Sequence, residues 1–300
     1  MCITINKVLF IINPVSGIKD NYAIGQAIGN QLNSHNIQFD VLYTTHAGHA
    51  KEYVHTIDAK LYDSILILGG DGTINEILNG ILLRLDGYLP IFGFLPGGTG
   101  NSVLHDLEYL DPIAALEPLL NYKTKYIDVM ALKFNNLIEY SINILGWGLV
   151  ADIALFAEKL RFLGQSRYDI ASLYYILKLQ SRPCTLILDN KQYSDEYLFI
   201  LVHNTIHTGK GMKAAPKARL DDGLIDVLVI NKDVNRLQLL QLLSRLSTGS
   251  HIKSRYVKYF QVANVELIPN IDEGVNIDGD VKYITPVKIS VLHKKLPIFY

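Results

Sequence analysis

The sequence has few of the features that mark several large classes of protein. Its 300 residues include only two cysteines, Cys2 and Cys184, which are too few and too far apart for a disulfide framework or a zinc site. Scarce cysteine suits a reducing compartment, and we predict a cytoplasmic protein. Residues 1–6 are polar and lead directly into an apolar run, so we expect no signal peptide.

A strong charge of one sign and long apolar runs are also missing. The formal net charge is -1 at pH 7, and without a basic stripe the chain is a poor partner for nucleic acid. No window reaches the roughly 18 uninterrupted apolar residues that a membrane span requires, so we predict no transmembrane segment. Hydrophobic residues are nevertheless abundant, at 49%, and they suffice for the cores of two ordinary domains.

One stretch, residues 64–82, combines a strand, a glycine-rich turn and a helix. Residues 64–68 form an apolar run of the kind found in a parallel sheet that is covered on both faces. From Ile74 onwards the apolar residues recur at helical spacing. Thr73 and Glu76 have the spacing of a capping box, which predicts that the helix begins at Thr73.

The turn in this stretch reads Gly69-Gly70-Asp71-Gly72. Glycines let a backbone approach phosphate groups, and the N–H groups of a helix N-terminus attract an anion, so we expect a nucleotide here. A carboxylate beside phosphates is repulsive unless it binds a cation or accepts a proton, which makes Asp71 the first candidate for chemistry. The alternative is a tight turn in which Asp71 is simply solvated. The pattern matches neither G-x-G-x-x-G nor a Walker loop.

Two further turns follow apolar runs that we predict to be strands. Residues 8–12 lead into Asn13-Pro14-Val15-Ser16-Gly17, and residues 91–95 lead into Pro96-Gly97-Gly98-Thr99-Gly100-Asn101-Ser102. Each turn alone could be structural. The carboxyl ends of parallel strands share one edge of a sheet, so three such turns should converge on one crevice. Together they predict a nucleotide site.

The second half of the chain has a different residue pattern, in which short strand-like runs are separated by turns. This pattern predicts a mainly antiparallel domain. The runs are 126–134, 137–145, 185–188, 197–203, 225–230, 257–268 and 287–292. Two helices, 153–179 and 236–246, interrupt them, and for the leucine-dense second helix we favour core packing over a membrane-docking surface. We predict domains at 1–125 and 126–300, with the end of the chain able to return to the first.

The three glycine-containing turns, with Asn75-Glu76 and Asn79-Gly80, resemble the diacylglycerol kinase catalytic-domain superfamily. That superfamily includes bacterial lipid kinases, sphingosine kinases and ceramide kinases. The resemblance continues through the second half, so it covers nearly the whole chain. The further matching segments are 147–152, 158–164, 167–168, 215–216, 220–226 and 276–280.

The resemblance implies an α/β fold with two parts. The first is an open, mainly parallel, phosphofructokinase-like nucleotide domain, and the second is a mainly antiparallel β-sandwich that binds lipid. It also implies a kinase that uses ATP and Mg²⁺ to phosphorylate a lipid at a membrane surface. Such a protein would associate with membranes peripherally, and the resemblance leaves room for a homodimer.

Individual site residues follow from the matched motifs. Asp71 matches the general base that accepts the proton of the lipid hydroxyl. Asp280 is the second catalytic candidate, Asp152 joins Asp71 as a lipid-binding residue, and Asp222 matches a ligand of a structural magnesium. Arginine suits phosphate because its planar fork of donors is always charged. The implied nucleotide-binding residues are Asn13, Ser16, Gly17, Thr44, Gly70, Gly72, Thr73, Glu76, Gly98, Thr99, Gly100, Arg161, Arg167, Asp278 and Gly279.

Two positions depart from the family pattern. Asp280 replaces the usual glutamate and is one methylene shorter, and Ala154 stands where sphingosine kinases carry an aspartate that grips the sphingoid head group. The second departure weakens free sphingosine as the substrate and leaves ceramide, diacylglycerol or another hydroxylated lipid open. Two alternatives remain: a nucleotide- or lipid-binding homologue with weak or no catalysis, and an NAD kinase, which shares the Gly-Gly-Asp-Gly turn.

Overall fold

The chain forms two compact units in the computed structural model, which describes residues 5, 7–17, 20–209 and 211–300, without the side chains of residues 161 and 165. The first unit comprises Met1–Val129, Gly209–Gly211 and His293–Tyr300, and the second comprises Met130–Thr208 and Met212–Leu292. The chain therefore passes between the units more than once. Cys2 and most of the segment used to predict the absence of a signal peptide lie outside the described residues.

The strands are numbered in chain order. They are β1 (Lys7–Ile12), β2 (Gln38–Tyr43), β3 (Ser64–Gly69), β4 (Ile91–Pro96), β5 (Thr124–Phe134), β6 (Leu137–Ser141), β7 (Ile144–Gly148), β8 (Arg182–Leu188), β9 (Lys191–His203), β10 (His207–Thr208), β11 (Met212–Lys213), β12 (Ile225–Asn231), β13 (Val257–Val262), β14 (Asn264–Pro269), β15 (Gly274–Ile277), β16 (Asp280–Ile284) and β17 (Val287–Phe299).

The helices are numbered in the same way. The α-helices are α1 (Asn21–Ser34), α2 (His49–Thr56), α3 (Asp71–Leu82), α4 (Ser102–Asp106), α5 (Glu117–Leu120), α6 (Leu149–Lys159), α7 (Arg167–Lys178) and α8 (Arg236–Ser244). Short 3₁₀ turns occur at Ala59–Leu61, Ala114–Leu116, Arg161–Ser166 and Ser250–Lys253. Among the described helices, none has the length and apolar character needed to cross a bilayer.

The first unit is built on a parallel sheet in the order β17–β4–β3–β1–β2. The central strand β3 is buried along its whole length, as its continuous apolar run predicts. Phe10, Leu66 and Leu68 pack with Ile28 and Leu32 of α1 in one core. The predicted N-terminal parallel sheet is confirmed.

The second unit is antiparallel, as predicted. Its strands run in the order β16–β15–β7–β9–β8–β14–β17, and β12 pairs with both β9 and β13. The long strand β9 contributes its first half to the pairing with β8 and its second half to the pairing with β7 and β12. Alternate side chains such as Trp147, Ile200 and Val227 point into a shared core, which is the packing of a β-sandwich.

The predicted N-cap of α3, Thr73, is wrong by three residues. The helix begins at Asp71, with Gly70 as its N-cap, and its first turn has no side-chain cap. The Thr73 hydroxyl instead accepts a hydrogen bond from Asn13 Nδ2 at 2.9 Å, and Glu76 Oε1 accepts one from Gly48 N at 2.8 Å. Both side chains that the capping box requires are therefore engaged by neighbouring loops.

Several other element boundaries also differ from the predictions. The predicted strands 137–145 and 257–268 are each two strands, and the predicted helix 153–179 is broken into α6, a 3₁₀ turn and α7. The break occurs at Gly164, where φ is 60° and ψ is -131°, a conformation that glycine adopts without strain. The hairpin β15–β16 was missed, although its turn, Asp278-Gly279, is a common hairpin sequence.

The core-packing interpretation of the leucine-dense helix is correct for only one of its faces. Leu239 and Leu242 of α8 are buried, whereas Leu237, Leu240 and Leu243 are exposed. A helix that is apolar on more than one side cannot bury every side against a single sheet. The exposed side therefore needs a separate explanation.

Helix packing in the first unit depends on a glycine. A Cβ placed on Gly80 of α3 would lie 2.6 Å from the carbonyl oxygen of Lys51 and would overlap the side chain of Val54, both in α2. Because Lys51 O is a backbone atom, it cannot move aside as a side chain can. The close approach of α2 and α3 therefore requires the absence of a side chain at position 80.

We expect Gly80→Ala to lower the free energy of unfolding by about 2 kcal/mol, because overpacking at backbone contacts costs this much. In an unobstructed helix the same change would be favourable by about 1 kcal/mol. Gly29→Ala in α1 is the matched control, since its Cβ would meet only the tip of the Phe39 ring, at 3.2 Å. Denaturant melts of the two variants test this, and equal stabilities would contradict it.

Candidate functional site

The three glycine-containing turns meet at the carboxyl ends of β1, β3 and β4, as the sequence predicts. Ser16 Oγ donates a hydrogen bond to the carbonyl oxygen of Gly97 at 2.7 Å. The buried amide of Asn21 donates to the carbonyls of Asn13 at 2.8 Å and Gly97 at 3.1 Å, which ties the first turn to the third. The turn after β3 lies against the same loop, because a Cβ on Gly98 would collide with Gly70 Cα.

These turns enclose a cavity of about 370 Å³, which lies wholly in the first unit. Ten of the fifteen predicted nucleotide-binding residues line it, so the structure brings the N-terminal part of the prediction together. They are Asn13, Ser16, Gly17, Thr44, Gly70, Gly72, Thr73, Glu76, Gly98 and Thr99. A volume of this size is typical of small-molecule sites.

Four lining residues were not predicted: Val15, Thr45, His46 and Ala47. The last three follow β2, whose carboxyl end lies at the same edge of the sheet as the glycine turns. From this loop the sequence analysis named only Thr44 as a nucleotide-binding residue. The order of neighbouring strands could have identified the other three, because β2 is adjacent to β1.

His46 takes part in a small ring cluster at this cavity. Its imidazole stacks on that of His49, with centroids 5.1 Å apart and an interplanar angle of 7°. The Thr45 backbone N–H donates to His49 Nδ1 at 3.1 Å, and Thr45 Oγ1 lies 3.0 Å from His46 Nδ1. The pair therefore fixes the loop that follows β2.

The first turn of α3 leaves open space beside Gly72. A Cβ placed there would have no described atom within 4 Å, whereas added Cβ atoms at Gly70 and Gly98 would meet protein backbone. Gly72 lies in the first turn of a twelve-residue helix, where Thr73 N and Ile74 N both bond to the Gly70 carbonyl and the N–H groups before them precede the regular helical ladder. This is the geometry in which a helix N-terminus can receive an anion.

Asp71 opens α3, and its carboxylate turns towards α4. Oδ1 accepts a hydrogen bond from Ser102 N at 2.8 Å, and Oδ2 accepts one from Ser102 Oγ at 3.2 Å. Burial raises the pKa of Asp71 above its ordinary value, and the hydrogen bonds from Ser102 offset part of that rise. A Cβ at Gly100 would lie 2.9 Å from Asp71 Oδ2, so a side chain there would displace the carboxylate.

Asp278, Gly279 and Asp280 lie in the second unit, at the β15–β16 hairpin. Asp278 Oδ1 accepts hydrogen bonds from Ser141 Oγ and Ile144 N, both at 2.9 Å, and Gly279 N donates to Asn276 Oδ1 at 2.9 Å. Both turn residues have positive φ, 52° and 103°. Asp278 and Gly279 thus stabilise the turn. The carboxylate of the exposed Asp280 forms an ion pair with Lys282 Nζ at 2.8 Å.

The predicted arginines and Asp152 also belong to the second unit. Arg167 pairs with Glu158 at 3.5 Å and lies over the ring of Tyr168, while the side chain of Arg161 is outside the described set. Asp152, in the first turn of α6, accepts a 2.5 Å hydrogen bond from Arg182.

The partner of Asp152 is shared with a second carboxylate. Arg182 Nε contacts Glu273 Oε1 at 3.0 Å, so one guanidinium bridges two acids. Burial raises the pKa of Glu273, and the charge of Arg182 counteracts that rise. Asp152 is therefore held in an ion pair, although the three groups together keep one negative charge.

Asp222 lies close enough to Asp226 of β12 for the two carboxylates to repel each other. Burial raises the pKa of Asp226 to about 6, and the charge of Asp222 adds to the effect while the Tyr259 hydroxyl opposes it. Asp226 Oδ2 is buried, and hydrogen bonding to the Gln261 side chain also lowers the pKa of this carboxyl. No cluster of three or more His, Cys, Asp or Glu occurs in the described part of the chain, but Mg²⁺ often takes only one or two carboxylates and keeps its waters.

Comparison with known proteins agrees with this geometry. The family model of the diacylglycerol kinase catalytic domain matches residues 7–132, and that of the YegS C-terminal NAD kinase beta sandwich-like domain matches residues 143–300. Sphingosine kinase 1 of Arabidopsis thaliana is 31% identical, over 92% of this chain and 68% of that protein. Diacylglycerol kinase of Bacillus subtilis is 27% identical, over 85% of this chain and 83% of its own length.

Solved structures share the fold. A diacylglycerol kinase from Bacillus anthracis superposes with a TM-score of 0.78 at 23% identity, covering 99% of this chain and 98% of that one. An NAD kinase from Archaeoglobus fulgidus, in complex with ATP, gives a TM-score of 0.54 at 12% identity, covering 98% and 93%. The likeness to NAD kinase is thus one of fold, whereas the matches to family models and sequences extend over both units. The chain belongs to the diacylglycerol kinase catalytic-domain family of lipid kinases.

Proposed function

We propose that this protein transfers the γ-phosphate of ATP to a hydroxyl group of a lipid of the ceramide, diacylglycerol or sphingoid class. The observation that carries the proposal is the cavity in which three glycine turns meet at the N-terminus of α3. Its backbone N–H groups and missing side chains suit a polyphosphate, and its size suits a nucleotide. The protein belongs to a lipid kinase family, which is why we propose a lipid as the acceptor of the phosphate.

The nucleotide phosphates would lie beside Gly72, where the structure has room that no side chain fills. Thr73 and Glu76 would face the same cavity from one side, with their orientations fixed by Asn13 and Gly48. Arg161 and Arg167 match the phosphate-contacting arginines of the family motif, and they would supply positive charge to the phosphates. Arg167 would have to exchange Glu158 for phosphate, which its 3.5 Å contact permits at modest cost.

Asp71 would act as the general base. The lipid hydroxyl oxygen forms a bond to the γ-phosphorus while the bond from that phosphorus to the β,γ-bridging oxygen breaks, and ADP leaves. The hydroxyl proton passes to the Asp71 carboxylate. A carboxyl whose pKa is raised by burial is a better proton acceptor than an exposed aspartate, since the ideal base has a pKa closer to the working pH.

Magnesium fits two parts of this proposal. Asp222 and the buried Asp226 form an anionic pair that a divalent cation would neutralise. A second magnesium bound with ATP would neutralise phosphate charge during transfer. Asp280 is the family's candidate for contact with metal or nucleotide, and it would have to leave Lys282 to do so.

The residues that would meet the lipid head group suit a neutral hydroxylated lipid best. Asp152, the predicted lipid-binding residue, is bound by Arg182, and Ala154 is a buried methyl group where sphingosine kinases carry a second acid. A cationic sphingoid amine would therefore meet no free carboxylate at these two positions. Ceramide and diacylglycerol need only hydrogen bonds to their hydroxyls. We place the protein in the cytoplasm, associated with the membrane surface, and leave open a homodimer.

Asp71→Asn tests the base. We expect phosphate transfer to fall by about 100-fold or more, because the amide cannot accept the proton. Asn can still accept from Ser102 N, so the fold should be retained.

The same variant tests the raised pKa. A carboxyl whose folded pKa is raised loses stability as the pH rises through that value, so wild type should be less stable than Asp71→Asn at neutral pH. The difference in stability should vanish in acid, where Asp71 of the wild type is protonated in both the folded and the unfolded protein. Thermal melts across pH measure this, and a variant less stable than wild type at neutral pH would contradict the electrostatic account.

Gly72→Ala tests where the phosphates lie. The added methyl meets no described protein atom and lies in a helix, so the stability of the free protein should be unchanged or up to about 1 kcal/mol greater. The affinity for Mg·ATP should fall by about tenfold, because the methyl occupies space needed by an anion at the helix N-terminus. Calorimetric titration measures the affinity, and wild-type binding by this variant would exclude a phosphate at Gly72.

Gly98→Ala is the matched control for that experiment. Its methyl would collide with Gly70 Cα, so both stability and ATP binding should be lost. A reduced affinity at unchanged stability is therefore expected of Gly72→Ala alone.

A substrate panel tests the reaction itself. Radiolabelled γ-phosphate of ATP is offered with detergent-dispersed ceramide, diacylglycerol and sphingosine, and in a separate reaction with NAD. We expect labelled ceramide phosphate or phosphatidic acid to exceed sphingosine phosphate, because Asp152 is engaged by Arg182. Formation of NADP would favour the NAD kinase alternative. Transfer to none of these acceptors, with ATP binding intact, would favour the binding-only homologue.

A further inference from the structure

Arg182 of β8 holds together two carboxylates that belong to different elements. Its Nη2 donates a hydrogen bond to Asp152 Oδ2 at 2.5 Å, and its Nε lies 3.0 Å from Glu273 Oε1. The side chain of Arg182 is 16% exposed, against 21% for Asp152 and 29% for Glu273. One guanidinium therefore serves two acids in a setting that water reaches only in part.

The two acids are held in place by contacts that do not involve Arg182. Asp152 lies in the first turn of α6, and Glu273 immediately precedes β15. The backbone of Glu273 is bonded twice to the buried Thr285: Glu273 N donates to Thr285 Oγ1 at 3.0 Å, and Thr285 N donates to Glu273 O at 2.9 Å. The two carboxylates would therefore stay close together if the guanidinium were removed.

Two carboxylates that converge on one point form a site for a positive charge. Removing carboxylates from water is costly unless a cation pairs with them. Burial raises the pKa of Glu273, the charge of Arg182 opposes that rise, and the charge of Asp152 adds to it. Without Arg182 the site would keep two negative charges and no cation. An ammonium group from another molecule has the charge needed to take its place.

The cation that fills this site belongs to the chain itself. The three groups keep one negative charge, and that charge falls mostly on Glu273, because the contact of Arg182 with Asp152 is the shorter one. Glu273 Oε2 is buried and has no hydrogen-bond partner among the described residues. A molecule that approaches Asp152 from solvent therefore meets a carboxylate already paired with a guanidinium.

We propose that Arg182 is a specificity-determining residue, which occupies a cation site formed by Asp152 and Glu273 and so selects an acceptor lipid with an uncharged head group. The inference rests on the proposed function, in which Asp152 lies at the lipid head group. Ceramide carries a neutral amide where sphingosine carries a protonated amine. The amine would have to displace Arg182 or lie beside a like charge, whereas the amide has to do neither.

Arg182→Met tests the proposal, because it empties the site while keeping an unbranched side chain. Sphingosine and ceramide that carry the same fluorophore on the sphingoid chain are bound to the full-length protein in non-ionic detergent at pH 7, without ATP. We expect the affinity for sphingosine to rise at least about tenfold, since its ammonium can now make charge-assisted hydrogen bonds to carboxylates. The affinity for ceramide should change little, because its head group is uncharged.

Two further variants separate charge from shape. Arg182→Lys keeps the cation and should keep the wild-type ratio of the two affinities. Arg182→Met with Glu273→Gln removes one charge of each sign, so the site retains one negative charge, as in the wild type. This double variant should also gain affinity for sphingosine, because Asp152 is no longer paired. It leaves no two unpaired acids side by side, so it should fold even if the single variant does not.

Lys288→Met is the matched control. It removes a cation from an ion pair in the same unit, in which Lys288 Nζ lies 2.9 Å from Glu266 Oε2. Its ratio of sphingosine affinity to ceramide affinity should equal that of the wild type, which separates the site from a general effect of net charge. If Arg182 were purely structural, its loss would lower the melting temperature and weaken binding of both lipids alike.

Two results would overturn the proposal. They are a wild-type affinity ratio in both variants that carry Arg182→Met, and a ratio in Arg182→Lys that shifts as far as theirs. Phosphate transfer from ATP to each lipid is measured beside binding, and any gain for sphingosine should appear in KM rather than in kcat. A shifted binding ratio without any transfer would support the specificity site and remove the proposed reaction. Transfer to ceramide by wild type, with an unchanged ratio in the variants, would do the reverse.

Discussion

The contact between the turns after β3 and β4 is the constraint on which the rest of the site depends. Gly98 lies so close to Gly70 that neither loop could carry a side chain at the contact, and Ser16 fastens the first turn to the third through Gly97 O. The glycines therefore do two things. They allow the loops to pack on one another, and at Gly70 and Gly72 they leave no side chain between the start of α3 and the cavity.

The same packing sets the environment of the candidate base. Because α3 begins at Asp71, the carboxylate is carried on a rigid element and is held by Ser102 at the start of α4. Burial and hydrogen bonding act in opposite directions on its pKa, and burial is the larger effect. A group placed in this way combines a fixed position with raised basicity, which is what proton transfer in phosphoryl transfer requires.

Much of this could be read from the sequence, and the failures share a cause. Continuous apolar runs identified β1, β3 and β4, and the rule that parallel strands share an edge brought their turns together. The start of α3 was misjudged because Thr73 and Glu76 bond to Asn13 and Gly48, residues distant in sequence. Local spacing shows what a side chain can do, whereas tertiary contacts decide which partner it takes.

For the same reason, the sequence could not decide two features of the second unit: the role of one turn and the burial of helix side chains. Asp278-Gly279 matched a family motif and a hairpin turn at once, and only the pairing of β15 with β16 reveals the second role. The high leucine content of α8 was evident from the sequence, but it did not tell which leucines are buried and which meet water. Burial is a property of the assembled fold.

The last strand gives the chain an unusual order of assembly. Residues His293–Tyr300 belong to the first unit, where Ile298 of β17 pairs with Phe92 of β4. During synthesis on the ribosome, β1 to β4 emerge early, but the neighbour that covers the open edge of β4 emerges only after the entire sandwich. The parallel sheet of the first unit must therefore wait for the second unit to be translated before its own edge is closed.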